Sequence, residues 1–158
     1  LILFIGEVIR IISVSYAGGI TRTRNVGAPS LCCTGPYAHT RNPLYIGNML
    51  IYLGVVIISG AENIAFLISI VFIFFIFQYT MIISLEEQTL QKLFPEQYQN
   101  YKKNVPRIFP RLSPWKNSDS RKRSSLLSTL KTEKRTLQNI FLIVFLILTK
   151  NYWINFNF

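Results

Sequence analysis

Histidine and cysteine are almost missing from this sequence: 158 residues contain one histidine, His39, and two cysteines, Cys32 and Cys33. The cysteines are neighbours, and a bridge between adjacent residues is geometrically strained, so both are read as reduced thiols on the reducing side of a membrane. With no Cys-x-x-Cys and a single histidine, the sequence offers no zinc site and no metal role is expected. Acids are scarce too, with 7 Asp and Glu against 17 Lys and Arg, for a net charge of +10 at pH 7. An initial methionine is also lacking. The chain opens at Leu1, and the expectation is that its start, with at least one earlier helix, is missing. No basic stretch precedes the first apolar run, so residues 1–16 are not read as a signal peptide.

What is present is apolar. Half of the residues are hydrophobic and the mean hydropathy is +0.32, which a soluble domain rarely combines with so high a charge. The combination points to apolar spans in lipid with the cations gathered outside them. Four apolar segments stand out, at 1–16, 44–59, 64–85 and 137–154. At about 1.5 Å per residue each suits a hydrocarbon core of roughly 30 Å. The first holds Glu7 and Arg10, one helical turn apart and able to pair. The expected fold is therefore all-α: a multi-pass transmembrane bundle of about four visible helices.

Only Gly60, Ala61, Glu62 and Asn63 separate the second and third segments, which forces a helical hairpin. Residues 17–43 and 86–136 then emerge on one side, and together they carry 15 of the 17 Lys and Arg. The linking turn on the other side has none. The positive-inside rule places both basic loops in the cytoplasm. Residues 86–111 mix acids, aromatics and prolines, as expected of a folded segment capping a membrane site. Residues 112–136 are basic and serine-rich, and Leu126, Leu127, Leu130 and Leu137 among cations suit an interfacial helix on anionic lipid. Nucleic acid is not expected as a partner, because these cations sit at a juxtamembrane position with no recognition motif. The resulting organisation is a membrane core at 1–111, a basic interfacial linker at 112–136 and a C-terminal membrane helix at 137–158.

Three stretches carry chemistry. In residues 34–48, Gly35-Pro36 reads as a turn, and Arg41-Asn42-Pro43 opens the second span, with Asn42 as N-cap and Pro43 at the first helical position. Such a start presents amides and the positive dipole end to a carboxylate, although it can also be no more than a helix start. Glu86 and Glu87 end the third span, where the helix dipole is already negative, so something positive should compensate them. They are either a solvated helix exit or the acceptor of a ligand ammonium. The third stretch, 94–110, places Tyr98 and Tyr101 on one helical face before Val105-Pro106 breaks the helix. Those rings can equally be interfacial anchors.

In order, these pieces are Gly-x-Tyr, Arg-Asn-Pro-x-Tyr-x-Gly, a membrane hairpin, Glu-Glu-x-x-Leu and Phe-x-x-x-Tyr-x-x-Tyr-x-x-x-Val-Pro. That series resembles the isoprenylcysteine carboxyl methyltransferases and the related phospholipid methyltransferases, over roughly residues 30–111. The resemblance implies an integral membrane methyltransferase that uses S-adenosylmethionine, bound at the cytoplasmic membrane edge under a capping segment, and acts on a lipid or prenylated acceptor. Carried over by motif, Pro29, Ser30, Leu31, Cys32, Tyr37, Asn42, Pro43, Leu44, Tyr45 and Glu86 would contact the cofactor, with Tyr98 as a further aromatic wall. No catalytic residue is assigned, since the acceptor supplies the nucleophile. The sequence departs from the family at two places. Asn42 stands where eukaryotic carboxyl methyltransferases carry histidine, and Ile82 where they present an arginine to the substrate carboxylate. His39 falls at a position the motif leaves free and is read as a surface residue. A membrane-embedded NADPH-dependent reductase of related layout and a non-catalytic membrane fragment are the competing classes.

Overall fold

Gly60 makes the central turn. It sits just past the end of one apolar helix with φ of 62°, a left-handed conformation that costs glycine nothing and other residues a steric clash. On either side of it lie the two helices that the sequence pattern anticipated. In the computed structural model, which describes residues 1–18, 30–116 and 122–157, all regular structure is helical. The order is α1 (Ile2–Ala17), a short 3-10 turn (Gly35–Ala38), α2 (Pro43–Ile58), α3 (Ile64–Leu93), α4 (Pro95–Asn104) and α5 (Leu126–Asn157). The all-α expectation holds for the described residues.

Of the segments expected to span a membrane, α3 alone is both long and apolar enough by itself, and α2 is apolar but only 16 residues long. The 30 residues of α3 continue past the apolar run at Leu85, so its last two turns project beyond the hairpin. Only Phe75 and Ile83 of α3 are buried, while Phe66, Ile73, Ile76 and Phe77 are each more than 60% exposed. Water would not tolerate so continuous an apolar face, whereas lipid hydrocarbon matches it.

Small residues let α1 and α2 approach closely. Gly47 and Gly54 lie two turns apart on one face of α2. A Cβ on Gly54 would come within 2.5 Å of Leu3 Cβ, and one on Gly47 within 2.9 Å of the Gly6 carbonyl. Such glycine contacts are the usual means by which membrane helices pack without a hydrophobic drive between them. Gly54→Val is accordingly expected to destabilise the bundle by about 1–3 kcal/mol, the usual cost of overpacking. A thermal melt in detergent reads this directly, and an unchanged midpoint would mean that the two helices do not meet at Gly54.

Aromatic rings join α2 to α3. Tyr45 meets Tyr79 at 4.6 Å between centroids, Tyr79 meets Phe75 at 4.6 Å and Phe75 meets Tyr52 at 4.9 Å. On the other side, α5 runs the length of the bundle. The chain just before it is tied to the end of α1 by Ser124 N–H to the Ser15 carbonyl at 2.7 Å, and Asn151 donates to the Ile58 carbonyl at 3.2 Å. The helix is unbroken from Leu126 to Asn157. Inside the bundle Glu7 and Arg10, which their spacing allows to pair, are not hydrogen-bonded to each other. Arg10 Nε instead binds Glu133 of α5 at 2.7 Å, its Nη1 donates to Asn48 of α2, and Asn48 also hydrogen-bonds Tyr79. Glu133 is fully buried and would be costly without a cation, and the long arginine side chain reaches it across the helix interface. Both carboxylate oxygens of Glu7 are left without a hydrogen-bond donor.

Candidate functional site

The chain before α2 and the chain after α4 are zipped together. Arg41 N–H donates to the Pro106 carbonyl at 2.9 Å, Arg111 N–H to His39 at 3.0 Å and Trp115 N–H to Ala38 at 2.9 Å. The partners run in opposite order, so the two segments lie antiparallel. The Thr40 hydroxyl reaches the Arg107 and Ile108 carbonyls at 3.2 and 3.0 Å. His39 Nδ1 stands 2.8 Å from the Arg111 carbonyl. Only a protonated ring nitrogen is attracted to a carbonyl oxygen, so Nδ1 carries the hydrogen. His39 is thus a half-buried latch and not the plain surface residue that its position in the motif suggested.

A small apolar core supports this zipper. Leu31, Cys33, Tyr98, Tyr101 and Val105 are buried together, with Leu90, Phe94 and Trp115 packed against them. The Tyr101 hydroxyl donates to the Tyr37 carbonyl at 2.8 Å, which ties α4 to the 3-10 turn. Burial first, then the nearby thiols, raise the Tyr101 phenol above its ordinary range. Burial and the Glu87 charge push Tyr98 up to about 12. Both phenols therefore remain neutral hydrogen-bond donors at any physiological pH.

Beneath the zipper, the start of α2 meets the end of α3. The Tyr45 hydroxyl donates to Glu86 Oε1 at 2.7 Å. Glu87, the next residue, faces two arginines: Arg41 Nη2 lies 3.0 Å from its Oε1, and Arg107 Nε 3.3 Å from the same atom. Arg107 also donates from Nη2 to the Ser84 hydroxyl at 2.9 Å. Among the described residues something positive does offset the carboxylate pair, but at Glu87; the partner of Glu86 is the neutral phenol of Tyr45. Asn42, expected as an N-cap, occupies the cap position without capping. Its amide donates to the Arg107 carbonyl at 2.8 Å, which leaves the first-turn amides of α2 with no side-chain cap.

Two hollows adjoin at the Arg107–Ser84 contact. One is an apolar groove of about 150 Å3 between α2 and α3, walled by Ile46, Met49, Phe75, Tyr79 and Ile83, with Asn42, Tyr45 and Arg107 at its polar end. The other is a polar cleft of about 410 Å3 between the projecting turns of α3 and α4, lined by Ser84, Glu87, Gln88, Gln91, Lys92, Tyr98 and Lys102.

The structure brings Asn42, Pro43, Leu44, Tyr45 and Glu86 to one end of the bundle. Tyr37 is half-buried in the 3-10 turn above them, and Tyr98 sits mainly inside the apolar core with its edge on the polar cleft. Leu31 is buried in that same core, Cys32 Sγ points to the Tyr16 carbonyl at 3.6 Å, and Ser30 is exposed. Pro29 lies outside the described residues. Sequence reasoning gave no role to Thr40, Ser84 and Arg107, took Arg41 only as part of the helix start and Glu87 only as one of a pair of acids, and did not foresee that Arg41 and Arg107 meet at Glu87. The one signal it had was the pair of adjacent acids that needed a cation.

Comparison with known proteins follows the same division of the chain. The profile of the phospholipid methyltransferase family matches residues 1–97, from α1 into α4. The nickel-cobalt-cadmium resistance protein NccN of Alcaligenes xylosoxydans xylosoxydans is 32% identical over 90 residues, 57% of this chain and 40% of its own length. The cobalt-zinc-cadmium resistance protein CzcN of Cupriavidus metallidurans is 32% identical over 91 residues, 58% of this chain and 40% of its own. The chain thus spans about two fifths of the curated relatives that it matches. No solved structure matches it. With the match extending over well more than half of its length, and over the helix start, hairpin and carboxylate pair described above, the chain belongs to the phospholipid methyltransferase family.

Proposed function

We propose that this chain transfers a methyl group from S-adenosylmethionine to a lipid-borne acceptor, as an integral membrane protein with its basic segments on the cytoplasmic side. The observation that carries the reading is the Tyr45–Glu86 contact, which puts an acid beside the uncapped start of α2. That pairing suits an amino-acid moiety: Glu86 for the ammonium and the free amides of the first turn for the carboxylate. S-adenosylmethionine, when bound, supplies an electrophilic methyl on a sulfonium, which the acceptor's lone pair takes as the carbon–sulfur bond breaks and a neutral thioether leaves.

The protein's part is positioning. The Tyr45 hydroxyl fixes the Glu86 carboxylate, and the Tyr79 ring packed against Tyr45 fixes the phenol in turn. The zipper of residues 38–42 with 106–115 holds the tail across the α2 start and limits access of water from that side. The apolar groove between α2 and α3 opens where an acyl or isoprenoid chain in a bilayer can enter, and the polar cleft faces the aqueous side. Holding the reactants in line near contact distance is the main contribution that such a site makes to rate.

Expression of the open reading frame in a bacterial host should produce lipids heavier by one methylene, labelled when the host is fed methyl-labelled methionine. The Glu86→Ala variant should not produce them. A lipid mass spectrum identical with and without the intact protein would remove the proposal.

A further inference from the structure

The tail that follows α4 holds apolar side chains out into the surroundings. Its sequence runs through the same Pro-Arg-apolar pattern twice, as Pro106-Arg107-Ile108-Phe109 and Pro110-Arg111-Leu112-Ser113, before Pro114-Trp115. Arg107, Arg111 and Trp115 are half-buried, whereas Phe109 is 86% exposed, Ile108 is 45% exposed and Leu112 is fully exposed. Three exposed apolar side chains thus fall within five positions. The backbone beneath them is pinned. The Thr40 hydroxyl binds the Ile108 carbonyl at 3.0 Å, His39 binds both the N–H and the carbonyl of Arg111, and Trp115 packs against the apolar core. Prolines at every fourth position fix φ and reduce the freedom of the chain further. A segment tied at so many points cannot turn Phe109 and Leu112 inward, so their exposure is part of the fold and calls for an apolar partner.

Position in the bundle indicates what that partner is. Ile108 lines the groove between α2 and α3 beside Ile76 and Ile83, and Ile76 belongs with Phe77 to the exposed apolar face of α3. The tail therefore meets the lipid-facing surface of α3 at Ile108, and Phe109 and Leu112 follow directly. Arg107, Arg111 and Lys116 are interspersed with them, and apolar side chains with cations at their flanks are the usual composition of chain lying in a membrane interface. We infer that residues 108–112 form a wedge inserted into the upper acyl region of the bilayer, with Phe109 and Leu112 among the lipid chains beside the mouth of the groove. The membrane then holds down the same tail that the zipper fixes over the start of α2. The wedge stands independently of the reaction that the groove serves.

Reconstitution of the intact protein with phosphatidylcholine that carries a diazirine high on one acyl chain tests this, with adducts located by peptide mass spectrometry. Lipid adducts are expected on Phe109 or Leu112 as well as on Phe77, and not on Lys103, an exposed residue of α4 away from the tail. Phe109→Ser combined with Leu112→Ser should lose the tail adducts and keep those on Phe77. The same variant should melt in detergent at the temperature of the intact protein, since both side chains lie outside the packed core. A benzophenone side chain built in at position 112 should likewise attach to lipid. Adducts on α3 with none in 108–112 would overturn the inference, and so would equal labelling of Lys103 and the tail. A covalent dimer through position 112 would overturn it too, because the apolar side chains would then face a second copy of the chain. Methyl transfer in cells bears on none of these results, so the wedge and the proposed reaction can fail separately.

Discussion

Replacing Glu86 by glutamine is expected to weaken S-adenosylmethionine binding by about 30- to 150-fold, while the helices stay assembled. The reasoning starts from the contact itself. Glu86 accepts from the Tyr45 hydroxyl at 2.7 Å, and an amide oxygen can accept that bond as well as a carboxylate can. The hairpin therefore keeps its tie, and only the charge is lost. A charge-assisted bond to an ammonium contributes roughly 2–3 kcal/mol in all, a bond that the amide, its oxygen taken by Tyr45, does not replace, and each 1.4 kcal/mol is about tenfold in affinity. Glu86→Ala goes further, since it also strands the Tyr45 hydroxyl, and should leave no binding that calorimetry in detergent detects. Circular dichroism on the same samples separates lost affinity from lost structure. Unchanged affinity in Glu86→Gln would remove Glu86 from the cofactor site.

The second large effect belongs to the bundle interior. Glu133→Ala is expected to destabilise the protein by about 3–5 kcal/mol, because it leaves the largely buried Arg10 guanidinium without its ion-pair partner, hydrogen-bonded to the neutral Asn48. Glu7 sets the sign of the next experiment. Its carboxylate has no hydrogen-bond donor, yet it lies near enough to feel the charge of Arg10 and of Glu133. With Glu133 gone, Glu7 becomes the remaining acid able to offset Arg10. Glu7→Gln alone should therefore be tolerated or slightly stabilising, since it replaces a buried carboxyl group that has no hydrogen-bond donor. Combined with Glu133→Ala it should cost more than the two single changes together, by roughly 1–2 kcal/mol of coupling. Melts of the two single variants and the double variant in detergent give the cycle. Simple additivity would show that Glu7 takes no part in balancing Arg10.

The helices and their hairpin were legible because they follow from local chemistry. Apolar length, the Asn42-Pro43 start and a four-residue link through Gly60 are consecutive features, and each has a direct structural consequence. The meeting of Tyr45 with Glu86 was legible at one remove, since a tight hairpin must return the end of α3 to the start of α2. What was not legible depends on long-range pairing. Glu133 and Arg10 are 123 residues apart, and no periodicity connects them. Glu7 with Arg10 shows the same limit: turn spacing permits a pair, but a fully buried acid on another helix competes better for the cation. Arg41 and Arg107 look like ordinary juxtamembrane cations until the zipper brings both to Glu87. Asn42 kept the position of a cap but turned its side chain to the tail, an outcome set by the Arg107 carbonyl arriving from 65 residues away.

Photolabelling with methyl-tritiated S-adenosylmethionine is the most direct measurement of where the donor docks. Label recovered in peptides covering residues 42–45 and 79–86, and displaced by excess unlabelled compound, is the expected result. Label confined to other helices, or none above the background of a heat-unfolded control, would contradict a donor seated where α2 begins and α3 ends.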